Sequence, residues 1–242
     1  DKAFNEMVEM FRPIIDERRA DPSKYDDALQ VAVDFVEEQA QKGELNEFDY
    51  RYTVFIVNNM FFAAQTNTFA TLSWMFVYIE NSKKTNPQLY EAIMNEVNNA
   101  PDPLSGEYIL DKTPVLEATI YETIRMANAG MAFRSIEQVT KLEREEGGEY
   151  VIPKKNFILN PSLMDGIDLQ EPSLFDPYRY LPPREEQKRD PNYYAWFGRG
   201  RHPCLGAEYV KMQLRQFFII VYKNCKVQFD PEVLTEVISE SK

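Results

Sequence analysis

Apolar positions recur at three- and four-residue spacing through the first half of the chain, and that period predicts helices. One is expected over about 3–19, kinked at Pro13, which removes an amide donor, and ending in the charged run Asp16-Glu17-Arg18-Arg19. A second runs from Tyr25 to Gln41. Leu29, Val31, Ala32, Val33 and Phe35 give it a broad apolar side, and Gly43 is its stop signal. A third, very long helix is expected from about Glu47 to Glu80, a fourth over Pro87–Asn98 and a fifth over Val115–Met126, with Pro101–Gly106 as a loop. After Met126 the period changes. Met131–Val139, Tyr150–Ile152 and Phe157–Leu159 read as short strands, and Ser162–Asp165 as one helical turn. Residues 166–196 read as irregular chain, and a loop of that length generally has a function. A last helix runs from about Leu205 to Tyr222, with Leu205, Tyr209, Met212, Phe217, Ile220 and Val221 as its apolar positions. The strands serve a helical body, so the expected fold is mainly α with a minor β region.

With 242 residues the chain is long enough for one sizeable domain. Its net charge of −12 argues against nucleic-acid binding, which needs a basic face. Asn58 and Asn59 interrupt the best apolar stretch, so neither a membrane span nor a signal peptide is expected within this sequence. The two cysteines, Cys204 and Cys225, lack C-x-x-C spacing, which supports neither a disulfide framework nor a zinc site. Cys225 reads as a packing residue at a helix-to-strand corner.

Cys204 stands apart. It lies in Phe197-Gly198-Arg199-Gly200-Arg201-His202-Pro203-Cys204-Leu205-Gly206, at the mouth of the last helix. A thiolate there is stabilised by unpaired amides and the positive end of the helix dipole. The glycines let the backbone pass close to something flat and bulky. Together these suit a thiolate that ligates a haem iron; a buried structural cysteine in a capping loop is the plainer alternative. Written F-x-x-G-x-x-x-C-x-G, the pattern has an expected chance count of about 2 in 10,000 for a chain with 16 Phe, 9 Gly and 2 Cys, so it is no accident of composition.

Three further segments follow a matching order: Glu122-Thr-Ile-Arg125 (E-x-x-R), Pro153-Lys-Lys-Asn-Phe157, and Asp176-Pro-Tyr-Arg179-Tyr180. With the cysteine loop they identify a resemblance to the cytochrome P-450 superfamily, the haem-thiolate proteins. That family's domain is about twice as long. The resemblance implies that residues 1–242 are the C-terminal part of a single cytochrome P-450 domain, its helices G to L region, with the haem-binding loop at about 194–206. It places a membrane anchor, the distal helices and part of the main sheet outside this sequence.

The resemblance also implies roles. Cys204 is the axial ligand of haem b (iron protoporphyrin IX). Phe197 packs on the thiolate side of the ring, and Gly198, Gly200 and Gly206 allow close approach. His202 and Arg134 face haem propionates, unless they are ordinary surface residues. Glu122, Arg125 and Arg179 form a buried charged triad that locks the long loop to the core; the alternative is a solvated pair three residues apart. In the long helix, Ala63 and Ala64 lie against the ring, and Gln65-Thr66-Asn67-Thr68 matches the oxygen-activation segment. There Thr66 replaces the family's acid and Asn67 its threonine. An amide can donate a hydrogen bond but does not titrate, so proton delivery would run through Thr66, Thr68 and water. The alternative is that these are mid-helix polar residues that bend the helix. The Pro153–Phe157 turn departs from its pattern too, with Lys155 and Asn156 in the glycine region.

Glu17-Arg18-Arg19 with Tyr25–Gln30, and the cysteine loop with Glu208–Gln213, are similar to sterol 14-demethylases. The asparagine at 67 is similar to bile-acid sterol hydroxylases and prostacyclin synthase. This implies a monooxygenase that inserts one oxygen atom into a sterol or other apolar lipid, at the endoplasmic reticulum membrane. NADPH would supply electrons through a flavoprotein reductase docked where Arg199, Arg201, Lys211 and Arg215 form a basic proximal face, if that is not merely a solvated helix face. Two alternatives are an oxygen-independent isomerase or dehydratase acting on a lipid peroxide, and a fragment that performs no turnover. Met60, Phe61, Ala64, Asn67, Thr68, Ala129 and Met131 are the expected substrate-wall residues, by position alone.

Overall fold

Asp27 decides where the second helix begins. Its Oδ1 accepts the backbone N–H groups of Leu29 and Gln30 at 3.0 Å each, satisfying amides that a helix start leaves free. In the computed structural model α1 (Lys2–Ala20) therefore leads through a 3-10 turn, Pro22–Lys24, to α2 (Ala28–Gln41), three residues later than the apolar pattern alone suggests. Arg18 forks onto both oxygens of Asp27 at 2.8 and 2.9 Å. Gly43, at φ +73°, follows the end of α2. The structure describes residues 2–127, 131–144, 146–161, 169, 171–189, 196–198, 200 and 203–230, without the side chains of 131–134 and 159–161. The helical turn expected at Ser162–Asp165 lies outside them.

Two compact units divide the chain, Asp1–Asn67 and Thr68–Lys242. The first has a core of Val8, Ile15, Val33 and Val54 from α1, α2 and α3 (Tyr50–Thr85). The 36-residue α3 supplies residues to both units. Asn58 and Asn59 do not interrupt it; Asn59 donates to the Phe55 carbonyl at 2.8 Å, one turn back. No helix among the described residues is long and apolar enough to cross a membrane.

The second unit is built on α4 (Pro87–Asn98), α5 (Gly106–Asp111), α6 (Pro114–Ala127), α7 (Glu186–Arg189) and α8 (Ala207–Asn224). Its core includes Met75, Ile79, Leu89, Ile93, Leu116, Ile120, Leu214, Phe218 and Ile219. The helix α5, absent from the sequence expectations, starts on Ser105, whose hydroxyl accepts the Tyr108 amide at 3.2 Å. Glu96 staples α4 to α6: its two oxygens accept the N–H groups of Val115 (2.8 Å) and Leu116 (2.9 Å), at the positive end of α6. Burial pushes this carboxyl up to about 7, against the two amide bonds and Arg215, which favour the charge.

Among the described residues four short strands make two antiparallel pairs, β1 (Met131–Ser135) with β4 (Phe157–Pro161) and β2 (Thr140–Glu143) with β3 (Glu149–Ile152). The single strand expected over Met131–Val139 is thus shorter, and β2 follows it as a separate hairpin arm. Arg134 lies opposite Ile158 in the first pair. In the turn before β4, Lys155 has φ +69°, a left-handed backbone where the family pattern has its glycine region. Asn156 steadies the turn by donating to the Pro153 carbonyl at 3.1 Å.

The segment expected to be irregular over 166–196 holds a 3-10 turn, Pro177–Tyr180, and α7. Asp176 starts the first by accepting the Tyr178 amide at 3.1 Å. Cys225, expected to pack, is exposed and caps the end of α8.

Candidate active site

Within the cysteine loop, the backbone N–H of Cys204 donates to the Phe197 carbonyl at 2.7 Å and closes the segment into a tight excursion. Gly198 and Gly200 have φ of +75° and +76°, which only glycine adopts at little cost. A Cβ placed on Gly200 or Gly206 would meet no atom within 4 Å, so one side of the loop is open. Phe197 packs on the core of the second unit and lies edge-on to Tyr121, with ring centres 6.5 Å apart. Cys204 itself is exposed, not buried as in the plainer structural reading, and the Leu205 side chain next to it is fully exposed. Among the described residues the N–H groups of Leu205 and Gly206 donate to no oxygen. A soft sulfur donor, free amides behind it and space beside two glycines fit a thiolate bound to a porphyrin iron. Gly206 stands at the N-cap of α8.

Helix α8 does not present the face its apolar pattern suggests. Tyr209, Phe217 and Ile220 are exposed, and the buried side is Lys211, Leu214, Arg215, Phe218 and Ile219. The two cations are buried because each finds partners. Arg215 donates to the Ile109 carbonyl at 2.8 Å and lies 3.5 Å from Glu117. Lys211 reaches Glu208 at 2.8 Å, the Tyr121 hydroxyl at 3.1 Å and Glu117 at 3.4 Å. Burial works against the Lys211 charge, yet Glu208 and Tyr121 outweigh it and hold the ammonium up to about 12. Lys211 and Arg215 therefore cannot belong to an exposed basic face; Arg199 and Arg201 lie outside the described residues, as do His202 and Ala129.

Glu122 and Arg179 have no exposed surface, and Arg125 keeps 7%. The Glu122 carboxylate accepts Arg125 Nε and Nη2 at 2.8 and 2.7 Å, Arg179 Nε at 3.1 Å, the Asp176 amide at 2.9 Å and the Tyr180 hydroxyl at 3.1 Å. Arg125 also donates to the carbonyls of Pro172 and Leu174, at 2.7 and 3.1 Å. One partner escaped the sequence reading: buried Glu186, 3.3 Å from Arg179 and 2.6 Å from Arg184. An arginine followed seven residues later by a glutamate carries no local signal, because a turn of chain separates them.

The segment 63–68 lies on α3. Side chains 58–67 are all exposed, and Thr68 is half-buried. Ser73, Thr119 and Thr123 bond the carbonyl one turn back, at 2.9, 2.7 and 2.7 Å. Among the described residues Thr66, Asn67 and Thr68 make no such side-chain bond. The helix-bending role that was the alternative for them is therefore not seen, since it depends on that bond.

The chain is similar to several known proteins. The obtusifoliol 14-alpha demethylase of Sorghum bicolor is 27% identical over 93% of this chain and 45% of its own length. The abscisic acid 8'-hydroxylase 1 of Arabidopsis thaliana is 28% identical over 88% of the chain and 43% of its own length. The prostacyclin synthase of Bos taurus is 26% identical over 72% and 37%. The chain spans about half the length of the relatives it matches, or less. The family described as Cytochrome P-450 matches residues 1–242, end to end, and the chain, mainly helical with a small antiparallel region, belongs to that family.

Proposed function

We propose that the protein containing this chain is a haem-thiolate monooxygenase that inserts one oxygen atom from dioxygen into a sterol or other apolar lipid. The single observation that carries this reading is the exposed Cys204 thiol at the head of α8, held by the 2.7 Å bond from its own amide to Phe197. When bound, haem would supply dioxygen activation and O–O cleavage. Cys204 Sγ would hold the iron. The free amides of Leu205 and Gly206 would moderate the sulfur's charge. Phe197 would pack on the thiolate side, and the open sides of Gly200 and Gly206 would admit the ring. His202 and Arg134 would neutralise its propionates. Ala63 and Ala64 would offer it small side chains. Thr66 Oγ1 and Thr68 Oγ1, neither committed to the helix backbone, would pass protons together with water, and Asn67 Nδ2 would donate a hydrogen bond at the oxygen site.

In this reading residues 1–242 are the C-terminal part of one cytochrome P-450 domain. NADPH supplies electrons through a flavoprotein reductase, and the whole protein resides at the endoplasmic reticulum membrane by an anchor. The demethylase names of its relatives favour a sterol. Asn67 favours a second reading, oxygen-independent isomerisation of a lipid peroxide, in line with the prostacyclin synthase relative.

The test uses the full-length protein. Its reduced, CO-bound spectrum should show the thiolate-type Soret band, and Cys204→Ser should abolish that band. NADPH-dependent oxygenation of a sterol panel then supports the monooxygenase. Turnover of a lipid hydroperoxide or endoperoxide without reductase or NADPH selects the second reading. A thiolate-type band that survives in Cys204→Ser overturns both.

A further inference from the structure

Tyr121 touches both flanks of the cysteine loop. Its ring meets Phe197, seven residues before Cys204, edge-on at 6.5 Å. Its hydroxyl accepts from Lys211, seven residues after Cys204, at 3.1 Å. The Phe197 carbonyl in turn accepts the Cys204 amide. Tyr121 is itself held in place: its hydroxyl donates to Glu117 at 3.3 Å, and its ring lies 5.5 Å from Tyr180, whose own hydroxyl donates to Glu122. Two adjacent residues of α6 thus face two tasks. Glu122 holds the 172–186 segment, and Tyr121 spans the base of the loop that carries the thiol.

We infer that Tyr121 is a positioning residue for the Cys204 thiolate, setting the separation of the two loop flanks through Phe197 on one side and Lys211 on the other. This inference rests on the role proposed for Cys204. The ring and the hydroxyl have separable effects, because they act on different flanks.

The experiment compares wild type, Tyr121→Phe and Tyr121→Leu in the full-length haem-loaded protein, by amide hydrogen exchange and by the reduced CO-bound spectrum at equal haem content. Tyr121→Leu removes both contacts. Exchange at the Cys204 and Lys211 amides should quicken about tenfold, while Ile93 in α4 stays within about twofold. The thiolate-type band should lose about half its share to a band without thiolate ligation. Tyr121→Phe keeps the ring, so Cys204 should exchange as in wild type while Lys211 alone quickens.

Unchanged Cys204 exchange in Tyr121→Leu, or equal quickening at Ile93, overturns the inference. So does Tyr121→Phe matching Tyr121→Leu at Cys204. If Tyr121→Leu does not fold, Tyr121→Phe decides: faster exchange at Lys211 with Cys204 unchanged supports the strut, and no change at Lys211 overturns it. Failure of the underlying function is seen separately, as a wild type without the thiolate-type band; the exchange arms still stand or fall by themselves.

Discussion

Replacing Glu122 by glutamine should cost the protein a large share of its stability. The carboxylate has no exposed surface and accepts from two guanidiniums, one backbone amide and one tyrosine hydroxyl. Glutamine keeps the shape but carries no charge, and whichever way it turns, its NH2 group faces at least one guanidinium N–H, which can only donate. Arg125 would lose one of its two short contacts to Glu122, and with the NH2 on its side Arg179 would fall back on contacts such as Glu186 at 3.3 Å and the Leu174 carbonyl at 3.4 Å. A buried ion pair broken on one side typically costs about 3–5 kcal/mol. Against a typical total of about 5–15 kcal/mol, that is roughly a fifth of the stability or more. Urea unfolding of the full-length protein measures it as a lower midpoint at unchanged slope. Lys141→Met is the control. Its ion pair with Glu149 is as short, 2.7 Å, but both side chains are about half-exposed, and the loss should stay below about 1 kcal/mol. If Glu122→Gln loses no more than the control, the network is effectively solvated and the argument from burial is wrong.

Glu96 makes stability depend on pH. Its folded carboxyl titrates at about 7, above its ordinary value of 4.5, so the folded state binds the proton more tightly than the unfolded one. The contribution is complete below about pH 4.5 and is lost as the pH rises to about 7. Urea midpoints should fall across that window and flatten in Glu96→Gln; an unaltered slope refutes this. Lys155→Gly should stabilise by about 0.5–1 kcal/mol, because glycine takes the φ of +69° without the side-chain penalty, and a lower melting temperature would contradict it. Asn67→Ala should leave the unfolding free energy within about 0.5 kcal/mol, since the residue is exposed, while product formed per NADPH consumed changes severalfold. Unchanged coupling would remove Asn67 from the proposed oxygen site.

Helix bodies were legible where the apolar period ran long and punctuation was plain. Asn86-Pro87 marks the start of α4, and its carboxamide accepts the Leu89 amide at 3.2 Å. The six residues of α5 are too few for a period to declare itself. The tight backbone of the cysteine loop was legible as a motif, because glycine stands at its left-handed positions 198 and 200. The face of α8 was misread for a reason of distance. Phe217 and Ile220 look like core residues, and Lys211 and Arg215 look like surface, until Ile109, Glu117 and Tyr121 arrive from elsewhere in the chain to satisfy the two cations. Glu186 escaped for the same reason. Buried charge is a tertiary fact, set by partners that local pattern does not contain.

The sealing of the Glu122 cluster has a consequence for how the protein responds to its solution. Dissolved ions weaken an attraction only where they can crowd around it, within a screening length of about 8 Å at physiological ionic strength. Glu122 and Arg179 admit no solvent, so added salt should erode exposed pairs such as Lys24–Glu17 and leave the grip of α6 on the 172–186 segment untouched.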